Sequence, residues 1–350
     1  SSPLTSEEVI AHTSGFDAFI DGHSHTVMEN KQVQDASGKA VTLTQTGSYF
    51  ANVGEMTIAA DGTITTKLIP THEGMDAGIA AMQTGWVNTV DDMLGEKIAV
   101  GDSDFYVSDP ATGKRRIRSA ETNLGDFVAD GIYTYFNEVE KLHCDVAIMN
   151  GGGIRADVPA GDWTFKTCKQ VSPFGNVACL MSVTGKQIQD ALEFAARFAG
   201  EDGKENGGFL HVAGATYEIH TDIPNTVQTD EKNVWIGSAT GTPRVQNVKI
   251  YDKASGSYLP LDPGATYALA GMNYTLRNLG DGFAMFDGAE LIKDYVSEDY
   301  LVMSTYAMTF DGVDAAGLPH LSSANSPLAA YPGYLLNYEQ PYGAGRITIL

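Results

Sequence analysis

The feature that most constrains this chain is one long amphipathic helix set between two blocks rich in strand signals. From Met75 to Leu94, apolar residues recur at Ile79, Met82, Trp86, Val90 and Leu94, which is the spacing of one helical face, and Gly95 then fits as a stop. A helix between two strand-rich blocks is a natural connector between domains. The sequence therefore predicts three parts: a small α/β piece over residues 1–73, a linker helix over 74–95, and a larger α/β domain over 96–350.

Within the first part, Thr5-Ser6-Glu7-Glu8 offers a hydroxyl and acids where a helix begins. The short apolar strand Phe16–Ile20 runs straight into Asp21-Gly22-His23-Ser24-His25. Further strands are expected over Val41–Thr46, Ala51–Ala59 and Thr63–Ile69, with Asp61-Gly62 as a hairpin turn. So few elements make a poor domain alone. Together with the abrupt opening Ser1-Ser2-Pro3, this leads us to expect a missing upstream portion.

In the second part, helices are expected over Asn123–Phe136, Gly185–Ala199 and, with a mixed pattern, Leu291–Thr305. Strands are expected over Asp145–Met149, Phe165–Gln170, Val177–Val183, Thr216–His220, Arg244–Tyr251, Tyr267–Gly271 and Gly345–Leu350.

The 350 residues carry a net charge of −22, which repels nucleic-acid backbones and anionic membranes and so excludes a long polyanionic partner. A small phosphate ester in a local basic pocket remains compatible. The run Lys114, Arg115, Arg116, Arg118 reads either as such a pocket or as a solvated turn. Three cysteines, Cys144, Cys168 and Cys179, make no disulfide framework. A Cys168–Cys179 pair is conceivable, and buried free thiols are the expectation. No apolar run reaches the roughly 18 residues that a membrane span needs.

Four constellations carry chemistry. His23 and His25, on a loop after a strand, are candidate metal ligands, because neutral imidazole offers a lone pair; two polar loop residues is the alternative. Asn150-Gly151-Gly152-Gly153-Ile154-Arg155 follows a buried strand. Its bare backbone would let a ligand approach Gly152 and its neighbours, and Arg155 is a planar cation suited to phosphate or carboxylate. The spacing is neither a Walker A loop nor a dinucleotide fingerprint. Ser172-Pro173-Phe174-Gly175-Asn176, and Asn273-Tyr274 with Gly280-Asp281-Gly282-Phe283, each place an aromatic residue in a glycine-containing loop. Two such rings could sandwich a flat base, with Asn176 and Asp281 bonding its edge or a ribose.

In this order the motifs Gly22 to His25, Glu121 to Asp126, Asn150 to Arg155, Pro173 to Asn176 and Gly280 to Phe283 resemble the 5'-nucleotidases, a family that includes UDP-sugar hydrolases and 2',3'-cyclic nucleotide phosphodiesterases. The resemblance implies a partial calcineurin-like metallophosphatase sandwich, a linker helix, and a C-terminal α/β domain with a mixed sheet. It implies that His23 and His25 each serve one of two divalent metal ions, zinc, manganese or similar, in a fuller protein. It implies that Asn150 and Arg155 approach the phosphate and ribose side, with Arg118 the nearest counterpart of a further family arginine. Phe174 and Tyr274 would stack on the base, and Asn176 and Asp281 would bond base or sugar. The remaining metal-ligand motifs and the catalytic aspartate–histidine pair of the family are not in this chain. The implied partner is a nucleoside 5'-monophosphate or related nucleotide, and the implied location is secreted, periplasmic or cell-surface. A non-catalytic nucleotide-binding module and a structural fragment are the alternatives.

Overall fold

The computed structural model describes residues 5–71, 74–201 and 204–350. The opening Ser1-Ser2-Pro3 and Glu73 at the expected domain boundary lie outside the described residues. Backbone contacts divide the chain into two compact units, Ser1–Trp86 and Val87–Leu350.

The first unit opens with α1 (Ser6–His12), started by a reciprocal cap. The Thr5 hydroxyl accepts from the Glu8 amide at 3.2 Å, and the Glu8 carboxylate accepts from the Thr5 amide at 2.7 Å. Strands β1 (Ala18–Ile20), β2 (Val27–Gln34) and β3 (Ala40–Thr46) form a sheet with β3 in the middle, parallel to β1 and antiparallel to β2. Strand β2 is absent from the sequence expectation because Val27–Gln34 is largely polar and lies at the sheet edge. Strands β4 (Asn52–Ile58) and β5 (Ile64–Pro70) pair as a hairpin through Gly62, which takes the left-handed φ of 85°. The core is small: Ile10, Val41 and Leu43 are fully buried, with Phe16, Phe19, Met28 and Val33 around them.

Helix α2 (Ala77–Leu94) carries the cut between the units. Of its apolar stripe, Ile79, Met82, Trp86 and Val90 are exposed and Leu94 is half-buried.

The second unit is built on a mixed five-stranded sheet. Its early elements are β6 (Lys97–Gly101), α3 (Asn123–Thr134), β7 (Val146–Asn150), β8 (Gly161–Thr164), α4 (Phe165–Val171), β9 (Ala178–Thr184) and α5 (Gly185–Ala195). Then come β10 (Leu210–Ala213), β11 (Ala215–Ile219), the small pair β12 (Gln228–Thr229) and β13 (Trp235–Gly237), and β14 (Val245–Asp252) with β15 (Ser257–Pro260). The chain closes with β16 (Thr266–Met272), α6 (Asn273–Leu276), β17 (Glu290–Lys293), α7 (Asp299–Ala307), β18 (His320–Leu321) and β19 (Ile347–Ile349).

The central order is β10-β7-β16-β9-β17. Only β7 and β16 run parallel; the other neighbours are antiparallel. Alternation along β7 makes the layers. Ala147 and Met149 pack with α3 and α7, whereas Val146 and Ile148 pack with α5. Two cores therefore lie on the two faces of one sheet.

Two expected elements of the second unit change type. Phe165–Gln170 is helical, not a strand, because the Thr164 and Thr167 side chains and amides cap each other and nucleate a turn. Leu291–Thr305 divides into the exposed edge strand β17 and the helix α7. Cys168 therefore sits on a helix rather than beside Cys179 in a neighbouring strand, and all three cysteines are buried free thiols.

The segment Glu121 to Asp126 locks the chain's last strand in place. The Glu121 carboxylate accepts from the Arg346 and Ile347 amides at 3.0 and 2.8 Å, and Asp126 accepts from the Ala344 amide at 2.8 Å. The Arg346 guanidinium meets Asp130 at 2.7 Å, both side chains fully buried, and the Tyr334 and Tyr338 hydroxyls donate to the same carboxylate. Thr122 caps α3, and Asn123 bridges Asp104, Tyr106 and Tyr338. Gly125 is required because a Cβ there would lie 2.0 Å from His211 Nδ1. Burial, with Glu121 beside it, holds the Asp126 carboxyl well above the usual range, and burial lowers His211 to about 4, so its ring is neutral.

Candidate functional site

Sheet topology decides which loops meet. Strand β16 is parallel to β7 and antiparallel to β9, with Met272 opposite Ala178. The C-terminal ends of β7 and β16 and the start of β9 therefore share one sheet edge. The loops beginning at Asn150 and Asn273 and the loop ending at Val177 converge there. The Asn273 amide donates to the Val177 carbonyl at 2.8 Å, and the Asn273 side-chain oxygen accepts from the Val177 amide at 3.0 Å.

This convergence leaves two rings outside the core. Phe174 is 58% exposed and Tyr274 36% exposed. Phe283, in the same glycine loop, is instead buried between Phe194 and Phe286. One face of Tyr274 rests on Gly280: a Cβ there would lie 2.5 to 2.6 Å from three atoms of the ring. The residues flanking Gly280, Leu279 and Asp281, both take left-handed φ values, 57° and 55°. That tight turn folds Asp281 back under the tyrosine.

Asp281 ties the floor of the site together. Its two oxygens accept from the Tyr274 hydroxyl at 3.1 Å and from the Asn150 side-chain amide at 3.2 Å. Burial, and then the Asp281 charge, raises the Tyr274 phenol, which stays a neutral donor. Cations surround this floor. The Arg155 guanidinium lies 5.7 Å from the Phe174 ring centroid and donates to the Gly152 carbonyl at 3.4 Å. Arg118 is 3.8 Å from Glu205, and its proton affinity is lowered by burial and by the neighbouring charges of Arg115 and Arg155. Arg197, which the sequence reading did not single out, stacks on Phe194 at 4.0 Å and is lowered to about 10 by burial, with Asp281 opposing. An arginine in the turn after a helix carries no signal of this placement.

The glycines act differently from expectation. The Gly151 amide donates to the Phe209 carbonyl at 2.7 Å and the Gly152 amide to the Gly207 carbonyl at 2.8 Å, so neither is bare for a ligand. Their small size serves packing instead. A Cβ on Gly151 would lie 2.2 Å from the Ile117 carbonyl oxygen, and one on Gly153 would lie 2.5 Å from Met149 Cε. Asn176 enters through its backbone: its amide donates to Asp299 at 3.1 Å and its carbonyl accepts from the Asp299 amide at 2.8 Å. Asn273, which the sequence reading named in a motif without a role, and Asp299, which it missed, are thus site-building residues. A polar residue beside a tyrosine or at a helix start looks ordinary until its partner is known.

His23 and His25 lie in the first unit, both exposed and with left-handed φ of 67° and 59°. Among the described residues no group of three or more histidines, cysteines or acids is placed to hold a metal ion. A metal ion takes about four ligands, so these two side chains do not by themselves fit a complete centre.

Comparison with known proteins follows this geometry. The family model for the 5'-nucleotidase C-terminal domain matches residues 99–288. The chain is 30% identical over 309 residues to the trifunctional nucleotide phosphoesterase YfkN of Bacillus subtilis, covering 85% of this chain and 19% of that protein. It is 26% identical over 318 residues to an apyrase of Tabanus yao, covering 83% of this chain and 53% of that protein. The chain therefore spans about half or less of the length of these curated relatives. The crystal structure of a 5'-nucleotidase precursor from Thermus thermophilus matches in fold with a TM-score of 0.65 at 23% identity, over 98% of this chain and 61% of that one. With the matched model spanning more than half of its length, the chain belongs to the 5'-nucleotidase family of hydrolases through that family's C-terminal domain.

Proposed function

We propose that the second unit grips the nucleoside of a nucleotide whose phosphate is hydrolysed at a metal centre completed by residues beyond this chain. The observation that carries this reading is the pairing of two exposed rings, Phe174 and Tyr274, on loops stitched at one sheet edge above the Asp281–Asn150 floor. A flat base stacks on such rings. Asp281 and Asn150 offer an acceptor and a donor to its ribose, and Arg118 and Arg155 offer positive charge to its anionic end. Asn176 and the backbone at Gly152 complete the wall.

Residues 1–73 would be the tail of a metallophosphatase domain, 74–95 the linker, and 96–350 the substrate domain. His23 and His25 would supply one ligand to each of two divalent ions. When bound, such ions hold a phosphate and activate water. This chain's contribution is to seat the nucleoside. With two of the required ligands, the chain alone binds nucleotide without cleaving it. Among the described residues no helix is long and apolar enough to cross a membrane, which is compatible with a secreted, periplasmic or cell-surface setting.

The test is a titration with adenosine and with AMP, followed by intrinsic fluorescence, in the chain and in Phe174→Ala. Saturable binding that weakens about 10- to 100-fold in the variant is expected, since stacking on one ring is worth ~1–3 kcal/mol per base. Equal binding by both proteins, or none by either, would remove the physical basis of the reading. Phosphate release from AMP with added zinc or manganese would overturn the non-cleaving assignment.

A further inference from the structure

Phe174, the more exposed of the two rings, hangs on the loop Ser172–Asn176, which contains Pro173 and turns through Gly175 at a left-handed φ of 68°. Such a loop does not fix a ring by itself, because glycine leaves the backbone free. Two residues from other elements hold its far end. Asn273 clasps Val177 as described. The other is Asp299, the first residue of α7, which lies against the loop but lines no part of the pocket. One of its oxygens accepts from the Asn176 amide at 3.1 Å, while its own amide returns a bond to the Asn176 carbonyl at 2.8 Å. The other oxygen accepts from the Tyr300 amide at 2.8 Å. The residue is 2% exposed. A buried carboxylate costs free energy unless its oxygens are bonded, and here one bond is spent on the pocket loop.

We propose that Asp299 is a positioning residue for the pocket: its carboxylate seats the Asn176 backbone and thereby the Phe174 ring beside the Asn273–Tyr274 turn. The inference rests on the nucleoside-pocket reading above for its consequence, though not for its geometry.

The charge state of Asp299 then sets the grip. Burial raises this carboxyl to about 6, against the opposing pull of the Tyr300 and Asn176 amides. The charged groups around it are few. Lys169 on α4 lowers it, and the adjacent Glu298 raises it. These two are 3.5 Å apart, and Lys169 also lies over the Tyr300 ring at 4.4 Å. Above about 6 the carboxylate is ionised and both oxygens accept. As pH falls through that value one oxygen becomes a hydroxyl and a poorer acceptor, so one of the two amide bonds weakens.

The experiment follows backbone amide resonances of the full chain between pH 5 and 8, with adenosine affinity measured across the same range. The Asn176 and Tyr300 amides are expected to titrate together with a midpoint near 6, and Asp299→Asn is expected to abolish both titrations. Adenosine affinity is expected to fall about 3- to 10-fold from pH 7 to pH 5 in the native chain, the size of one lost hydrogen bond. It should be independent of pH over that range in Asp299→Asn, which keeps one acceptor oxygen, and should drop about tenfold at pH 7 in Asp299→Ala. An Asn176 amide that does not move, or adenosine affinity that is the same in both variants as in the native chain, overturns the inference. If the native chain binds no adenosine, the pocket reading fails, and the Asn176 titration alone still decides whether Asp299 holds the loop.

Discussion

The two units solve the problem of burial in opposite ways. The second places helices on both faces of one sheet and closes itself with a buried ion pair, Arg346–Asp130, ringed by tyrosine hydroxyls. Among its described residues the first has three fully buried apolar side chains, and it leaves Ile20, Tyr49 and Phe50 exposed. Hydrophobic stabilisation scales with apolar area removed from water, so the second unit has the larger reserve. The lesson concerns function. The candidate pocket loops stand on the unit with the larger core, while the two candidate metal histidines stand on the unit with the smaller one.

The sharpest way to break this contrast is to attack the lock. Asp130→Ala leaves Arg346 charged, buried and without its carboxylate, and is expected to cost ~3–5 kcal/mol. The measurement is denaturant unfolding read by tyrosine and tryptophan signals of the second unit. A change below ~1 kcal/mol would mean that the C-terminal strand is held by its backbone bonds and not by the ion pair.

The first unit should fail differently. Leu43 is buried at the centre of β3, and Leu43→Ala is expected to cost ~2–5 kcal/mol. In so small a core that is enough to unfold it. Hydrogen exchange should then show loss of protection along β3 with the β7 and β16 amides unchanged. Loss of protection in both units would mean that they unfold together, and the division into two independent cores would fall.

These contrasts were unevenly legible in the sequence. The apolar run Val146–Met149 followed by three glycines could only be a buried strand with a tight exit, and it is. The purpose of those glycines was not legible, because amides bonded to Gly207 and Phe209 look identical, in one dimension, to amides awaiting a ligand. Phe165–Gln170 read as a strand, and the Thr164–Thr167 cap decided otherwise. The rings Phe174 and Tyr274 were legible as loop aromatics. That they share a sheet edge required the pairing of β9 with β16, a long-range fact. The roles of Asn273 and Asp299 were not legible for the same reason, since their partners lie 96 and 123 residues away.

Acid and base separate two buried groups in the second unit. Asp126 is raised well above its ordinary 3.8, so the folded state keeps a proton that the unfolded chain gives up. Its contribution is present below 3.8 and is lost as pH rises towards the folded value. His211 is lowered from 6.5 to about 4, so the unfolded chain binds the extra proton and stability is gained as pH rises between those values. The two slopes, each up to about 1.4 kcal/mol per pH unit, have opposite signs where the two windows overlap. Asp126→Asn, which cannot ionise, should remove the falling contribution and leave a steeper rise in stability between pH 4 and 6.5. Unfolding midpoints measured across that range in both proteins decide this. An identical profile in the variant would assign the pH dependence to other groups.

The smallest expected effect tests the helix between the units. Trp86 is 66% exposed on α2, and Met82 and Val90 beside it on the same stripe are exposed too. A tryptophan packed in a core costs ~3–5 kcal/mol when cut to alanine, whereas an exposed one changes stability by within about 0.5 kcal/mol. Trp86→Ala should therefore leave the unfolding midpoints of both units where they were, because neither core contains that ring. A loss of more than ~2 kcal/mol in either unit would place the apolar stripe against that unit in solution and would end the description of α2 as an unburied connector.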